Sequence, residues 1–226
     1  MFTPAQLTRL YPSAPLPDRD ALVEGREALA AAGLLEPGHR LHVFLAQLGH
    51  EAAGLTRRVE GLSYSRSETL MAVWPSRFPT RAAALPFVRN PQALAEKVYG
   101  GRADLGNTQA GDGPRYIGRG YLQITGRANY REMGARIGVD LEARPQLAAQ
   151  PAIAVRAACA YWSARGLNAL CDAGRFHAAT RRINGGAIGY ADRVAWLERA
   201  RACVPWPERP GGPPLDLSVP RRRGAR

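Results

Sequence analysis

The chain has 226 residues, 46% of them hydrophobic, and its 31 Lys plus Arg against 19 Asp plus Glu leave a formal net charge of +12. That length and composition suit one globular domain with a sizeable core and a cleft, and the excess charge implies a polyanionic partner such as nucleic acid, anionic membrane or acidic cell-wall polymer. Cys159, Cys171 and Cys203 are too few and too scattered for a disulfide framework or a zinc site, and no apolar stretch approaches the length that spans a bilayer.

Thr3, Pro4 and Gln6 read as a cap, a first-turn proline and a capping-box partner for a short helix carrying Leu7 and Leu10. Asp18 or Asp20 then caps a helix through Leu22 and Leu29 that stops at Gly33. Leu41, Phe44, Leu45 and Leu48 recur at spacings of three and four and predict the next helix, with Glu51 projecting from the same apolar stripe. Ala52, Ala53 and Gly54 end it and leave room beside Glu51. A carboxylate on such a stripe is expensive unless something uses it, because desolvation disfavours the charged form. Nine positions on, Glu60 lies in a short segment closed by Gly61. Hydrolysis of a glycosidic bond asks for such a pair, one carboxyl holding a proton for the leaving oxygen and another ionised to activate water.

Ser67 and Glu68 open a further helix that Pro75 ends, and Asn90-Pro91 starts another, carrying Leu94 and Val98 up to Gly100-Gly101. Residues 100–120 form a long Gly-rich loop. Loops of that length are usually functional or mobile. No preceding strand or Gly-Lys-Ser/Thr supports a nucleotide site, whereas Tyr116, Arg119, Tyr121 and Gln123 supply the aromatic faces and hydrogen-bonding groups that sugar binding uses. Thr125 caps a predicted helix from Gly126 to Ile137 ended by Gly138, with Asn129 one turn beyond it. Pro151 opens the most hydrophobic helix, where Val155, Ala158, Cys159 and Trp162 mark a core stripe. The stretch from Ile183 to Gly186 reads as a tight turn before a last helix, Tyr190 to Cys203, which carries Arg193. Residues 1–205 are expected to form the folded domain, and the Pro-, Gly- and Arg-rich residues 206–226 a disordered tail.

His50-Glu51, the segment from Glu60 to Ser65, the segment from Val73 to Pro79, and that from Val98 to Arg102 resemble signatures of glycoside hydrolase family 19. So do Gly118-Arg119-Gly120-Tyr121-Leu122-Gln123-Ile124-Thr125-Gly126, continuing to Tyr130, and Ile183-Asn184-Gly185-Gly186 with Ala191-Asp192-Arg193. The resemblance, nearest to bacterial and phage endolysin members, implies a mainly α, lysozyme-like fold of two α-rich lobes with a minor β element and a substrate cleft between them. It implies inverting hydrolysis of β-1,4-linked N-acetylhexosamines without metal or cofactor. On the same footing Glu51 stands as general acid, Glu60 as general base, and Thr125 as the hydroxyl that holds the attacking water. Gln123 and Asn129 line the sugar cleft, Asn184 lies near the base, and Arg193 belongs to a charge network around the pair. His50, Tyr116 and Arg119 join the expected substrate-binding residues. Ile188 departs from the family pattern, occupying a position where relatives carry Asn or Glu.

The expected partner is a polysaccharide, peptidoglycan in preference to chitin, at an anionic cell envelope, with no specific nucleic acid and the chain acting as a monomer. No basic leader precedes an apolar run. The chain is therefore expected to be made in the cytoplasm and to reach the wall through holin-type or other release. Two rivals remain: a lytic transglycosylase, which needs one carboxyl only, and a non-catalytic cationic wall-binding protein, which would leave Glu51 unexplained.

Overall fold

The computed structural model describes residues 2–186, 188–205, 207 and 213–218. The chain divides into two compact units, the first comprising Met1–Arg58, Gly120–Leu122 and Gln150–Arg226, the second Val59–Arg119 and Gln123–Ala149. It begins with α1 (Pro4–Leu10), α2 (Leu16–Glu24), α3 (Arg26–Ala31) and α4 (Gly38–Glu51) in the first unit. In the second come α5 (Ser67–Val73), α6 (Arg81–Ala84), α7 (Pro91–Tyr99), α8 (Asp112–Arg115) and α9 (Arg127–Ile137). It returns to the first unit for α10 (Pro151–Ala164), α11 (Leu167–Asp172), α12 (Phe176–Asn184) and α13 (Tyr190–Cys203). Strand pairing among the described residues is limited to two antiparallel bridges, Val59 with Arg119 and Arg119 with Ile124. The expected mainly α class with a minor β element is what the chain forms.

Local chemistry explains most boundaries. Thr3 and Gln6 close the capping box of α1 in both directions. The Asn90 side chain caps α7, and Pro91 takes its first turn. The helix expected to run from the Asp18 region to Gly33 is instead two helices interrupted at Gly25, a poor helix former. Asp18 does not cap it: the N-cap is Pro15, and Asp18 lies fully buried within α2. Thr125 is likewise not a cap, since Gly126 holds the N-cap of α9 and the free amide of Arg127 donates to the Asn107 side chain at 2.8 Å. Ile183 and Asn184 form the last turn of α12, and the turn proper begins at Gly185.

The first unit is built on α4, which packs chiefly against α13. Leu41, Phe44, Leu45 and Leu48 are fully buried, with Trp162 of α10 meeting Phe44 edge-on at 5.3 Å between ring centroids. Gly49 gives the indole of Trp196 its seat on α4, because any Cβ there would come within 2.6 Å of the ring. Gly54 adjoins the same indole. Gly49 and Gly54 therefore serve α13 packing, while Ala53 is exposed. In the second unit, Leu62, Leu70, Phe78, Leu94 and Val98 gather beneath Tyr64 and Trp74.

Within residues 206–226, expected to be disordered, the described stretch 213–218 packs as part of the first unit. Asp216 donates its amide to the Gly174 carbonyl at 2.7 Å, and Leu215 and Leu217 pack on the core. Composition hid those two leucines between prolines. Among the described residues, no helix is long and apolar enough to cross a membrane.

Candidate active site

Glu51 is the last residue of α4, where Ala53, Gly54 and Leu55 adopt left-handed backbone in succession, with φ of 48°, 68° and 65°. Two non-glycine residues in that region are unfavourable and end the helix abruptly, leaving the Glu51 side chain at its rim with 21% exposure. Its Oε1 accepts from Nη2 of Arg193 at 2.5 Å. Arg193, on α13, is itself only 1% exposed. Its Nη1 donates to Gln47 Oε1, and Gln47 donates in turn to the Thr180 hydroxyl at 3.1 Å. Gln47 lies one turn before Glu51 on α4, so a single helix face presents both groups to one guanidinium. No described residue hydrogen-bonds Glu51 Oε2. Beside this chain of contacts, His50 Nδ1 meets Asp192 Oδ2 at 2.6 Å. Asn184 is exposed, its amide donating to the carbonyl of Ile188, whose own side chain is 82% exposed.

Glu60 belongs to the second unit. Its amide donates to the Gly118 carbonyl at 2.8 Å, continuing the pairing at the Val59–Arg119 bridge. Both of its carboxylate oxygens accept: Oε1 from the Tyr99 hydroxyl at 2.5 Å, Oε2 from the Gly118 amide at 3.1 Å. Burial first, and Glu60 second, raise the Tyr99 phenol far above its ordinary value, so it remains a donor throughout the neutral range. Gly118 is closely approached there: a methyl group on it would run into Gln123 Oε1 and stand 3.2 Å from Thr125 Oγ1 and 3.3 Å from Glu60 Cβ. Glu60 and Thr125 therefore flank one glycine. Gln123 approaches the same glycine and is held at φ 48°, an unusual conformation for a residue with a side chain. Asn129, exposed on α9, donates to the Thr125 carbonyl at 2.6 Å.

Tyr116 is not a sugar platform. It is 1% exposed, with Arg127 and Arg115 over its ring at 4.9 and 5.6 Å from the centroid and its hydroxyl donated to the Glu142 carbonyl. Arg127 is held by Asp112 and Glu142, so this cluster is a structural core of the second unit. Arg119 is also spent internally, on the Arg115 carbonyl and the Tyr130 hydroxyl, both at 2.9 Å. Of the expected residues, Glu51 and Arg193 are thus brought together in the first unit, alongside His50. Glu60, Gln123 and Thr125 are brought together in the second, next to Asn129. Sequence reasoning gave no role to Tyr99, Gln47 or Asp192, although Tyr99 and Asp192 fall inside the motifs that carry the resemblance. Gln47 was legible as a polar residue one turn from Glu51, whereas nothing local marks Tyr99 as the partner of Glu60.

A family model for class I chitinases, glycoside hydrolase family 19, matches residues 87–173. A Haemophilus influenzae protein described as containing a glycosyl hydrolase family 19 domain is 36% identical over 151 residues, covering 67% of this chain and 73% of that protein. Among solved structures, chitinase C from Streptomyces griseus superposes with a TM-score of 0.65 at 21% identity, over 96% of this chain and 79% of that one. A class IV family 19 chitinase from Zea mays superposes with a TM-score of 0.60 at 20% identity, over 94% and 96%. At those identities the structural likeness speaks for the fold alone, the α-rich architecture shared with these family 19 chitinases. The chain belongs to glycoside hydrolase family 19 and is a glycoside hydrolase.

Proposed function

We propose that this hydrolase cleaves β-1,4 bonds of N-acetylhexosamine polymers by inversion, with Glu51 as general acid, Glu60 as general base and bacterial peptidoglycan as the substrate. The observation that carries the assignment of roles is the unequal hydrogen bonding of the two carboxyls. Both oxygens of Glu60 accept, one from Tyr99 and one from the Gly118 amide, and each keeps a second lone pair with which to take the proton of the attacking water. Among the described residues Glu51 is bonded through Oε1 alone, which leaves Oε2 to carry the proton that the leaving oxygen needs. A base that accepts from fixed donors and an acid with one uncommitted oxygen suit a single displacement through one water. Thr125, across Gly118 from Glu60, is suited to hold that water.

The preference for peptidoglycan rests on charge. Chitin is nearly neutral, while bacterial envelopes carry anionic polymers that would concentrate a chain of net charge +12. Chitin is the alternative, favoured by the names of the structurally similar enzymes. The test is release of reducing sugar from purified peptidoglycan and from colloidal chitin, each at low and high salt. Peptidoglycan hydrolysis that weakens as salt shortens the screening length below about 8–10 Å supports the reading. Chitin hydrolysis with no release from peptidoglycan at low salt overturns it.

A further inference from the structure

We propose that Asp18 is a positioning residue for the reaction: through Arg58 and Tyr121 it clamps the two chain segments that lead directly to Glu60 and to Gln123 and Thr125. The proposal rests on the reading of Glu60 as the base.

Asp18 lies in α2 with no exposure at all. Its Oδ1 accepts from the Tyr121 hydroxyl at 2.8 Å and pairs with Arg58 Nε at 3.0 Å. Its Oδ2 is buried without a hydrogen-bond partner among the described residues. A carboxylate taken wholly out of water and half satisfied is a poor way to stabilise a core, and an apolar side chain of similar size would fill the space without the desolvation cost. What the charge does supply is a fixed point for two segments remote in sequence. Arg58 and Tyr121 each stand two residues before a site residue, Glu60 and Gln123 respectively.

The backbone between them transmits that constraint. Gly120 donates its amide to the Arg58 carbonyl at 2.9 Å, and Glu60 donates to Gly118 at 2.8 Å, with the Val59–Arg119 bridge between. A second bridge, Arg119 with Ile124, folds the chain back toward Thr125. One short ribbon thus sets the register of Glu60 against Gly118, and hence the bond from the Gly118 amide to Glu60 Oε2. Tyr121 is fully buried, and burial, then Asp18, raise its phenol far above the usual range, so the donor persists at every working pH. The left-handed Gln123, two residues past Tyr121, needs such an anchor because its backbone is unfavourable for a side chain. A misplacement of about 1 Å in a reacting group can cost on the order of 10²-fold in rate.

The experiment compares the full chain with Asp18→Asn and with the milder Tyr121→Phe, which keeps the ring in the core and removes only the hydroxyl. The readouts are kcat, KM and amide hydrogen exchange at Glu60 and Gly118. Expected are a fall in kcat of roughly 10–100-fold with KM nearly unchanged, and faster exchange at those two amides but not in α4. In a Glu60→Gln background, Asp18→Asn should lower the residual rate by less than in the wild-type chain, because one of the groups being positioned is already gone. Unchanged kcat in either folded variant overturns the proposal, as does an equal loss in the Glu60→Gln background, which would mark a purely structural role. Should Glu60→Gln itself turn over at the wild-type rate, the base assignment fails. The clamp is then judged on exchange, and unchanged protection at Glu60 and Gly118 overturns it too.

Discussion

Arg193→Met removes the buried cation that joins Glu51 to Gln47 while keeping a long side chain in its place. The guanidinium is 1% exposed and donates to both groups. A hydrogen bond from a buried charged group contributes about 1.5–3 kcal/mol. Glu51 keeps 21% of its side-chain surface, so water replaces part of the lost bond. The bond then contributes about 2 kcal/mol. The Gln47 oxygen, left in a fully buried site, adds about 1 kcal/mol. The expected loss is therefore about 3 kcal/mol, more than a hundredfold in the unfolding constant. Urea unfolding at pH 7 followed by circular dichroism measures it, beside Glu51→Gln and the double variant. The double variant should cost less than the two single losses added together, because each single change strands the other partner. A loss under about 1 kcal/mol for Arg193→Met, or strict additivity, would refute the reasoning, since surface pairs contribute no more than that.

Tyr99→Phe deletes the hydroxyl that donates to Glu60; a hydrogen bond to a charged group contributes about 1.5–3 kcal/mol, so kcat should fall roughly 10–100-fold. Wild-type turnover in that variant would show that the bond does not hold the base. Thr125→Val should change stability by no more than about 0.5 kcal/mol, because Gly126 and not Thr125 holds the α9 cap, yet should lower turnover if the hydroxyl holds water. Full activity in that variant would remove Thr125 from the mechanism. Arg131 chiefly, with Arg127, pulls Glu142 down to about 2 from an ordinary 4.5. Its stabilisation is thus complete above the unfolded value and lost as pH falls from 4.5 toward 2. Glu142→Gln should lower Tm at pH 6 and leave it unchanged at pH 2, and an equal effect at both would contradict the assignment.

The helices α1, α4, α7, α10 and α13 were legible because apolar spacing and caps act within a turn or two of chain. Asp18 was not. A carboxylate near a helix start reads as a cap, and its hydroxyl partner Tyr121 lies 103 positions away. Tyr116 misled for a related reason: an aromatic in a Gly-rich loop reads as a ligand surface, and only the fold brings Arg127 over its ring. Thr125 directly precedes a helix and has a capping side chain, but Gly126 at φ 91° shifts the start by one residue. The Glu51 and Glu60 assignments came from helix pattern and family resemblance. Arg193 came by the same resemblance and Gln47 lies one turn from Glu51, whereas Tyr99 and Gly118 meet Glu60 only through three-dimensional packing, which no local spacing encodes.

The central claim is that Glu60 activates a water for direct attack while Glu51 protonates the leaving oxygen. It is tested most directly by the configuration of the first product, followed by NMR during hydrolysis of a β-1,4-linked N-acetylglucosamine oligomer. Single displacement at a β bond predicts that the new reducing end first appears as the α anomer, with the β anomer growing in only by mutarotation. A first-formed β anomer would mean a covalent or substrate-assisted intermediate, and an anhydro end would mean that no water attacked; either result contradicts the account.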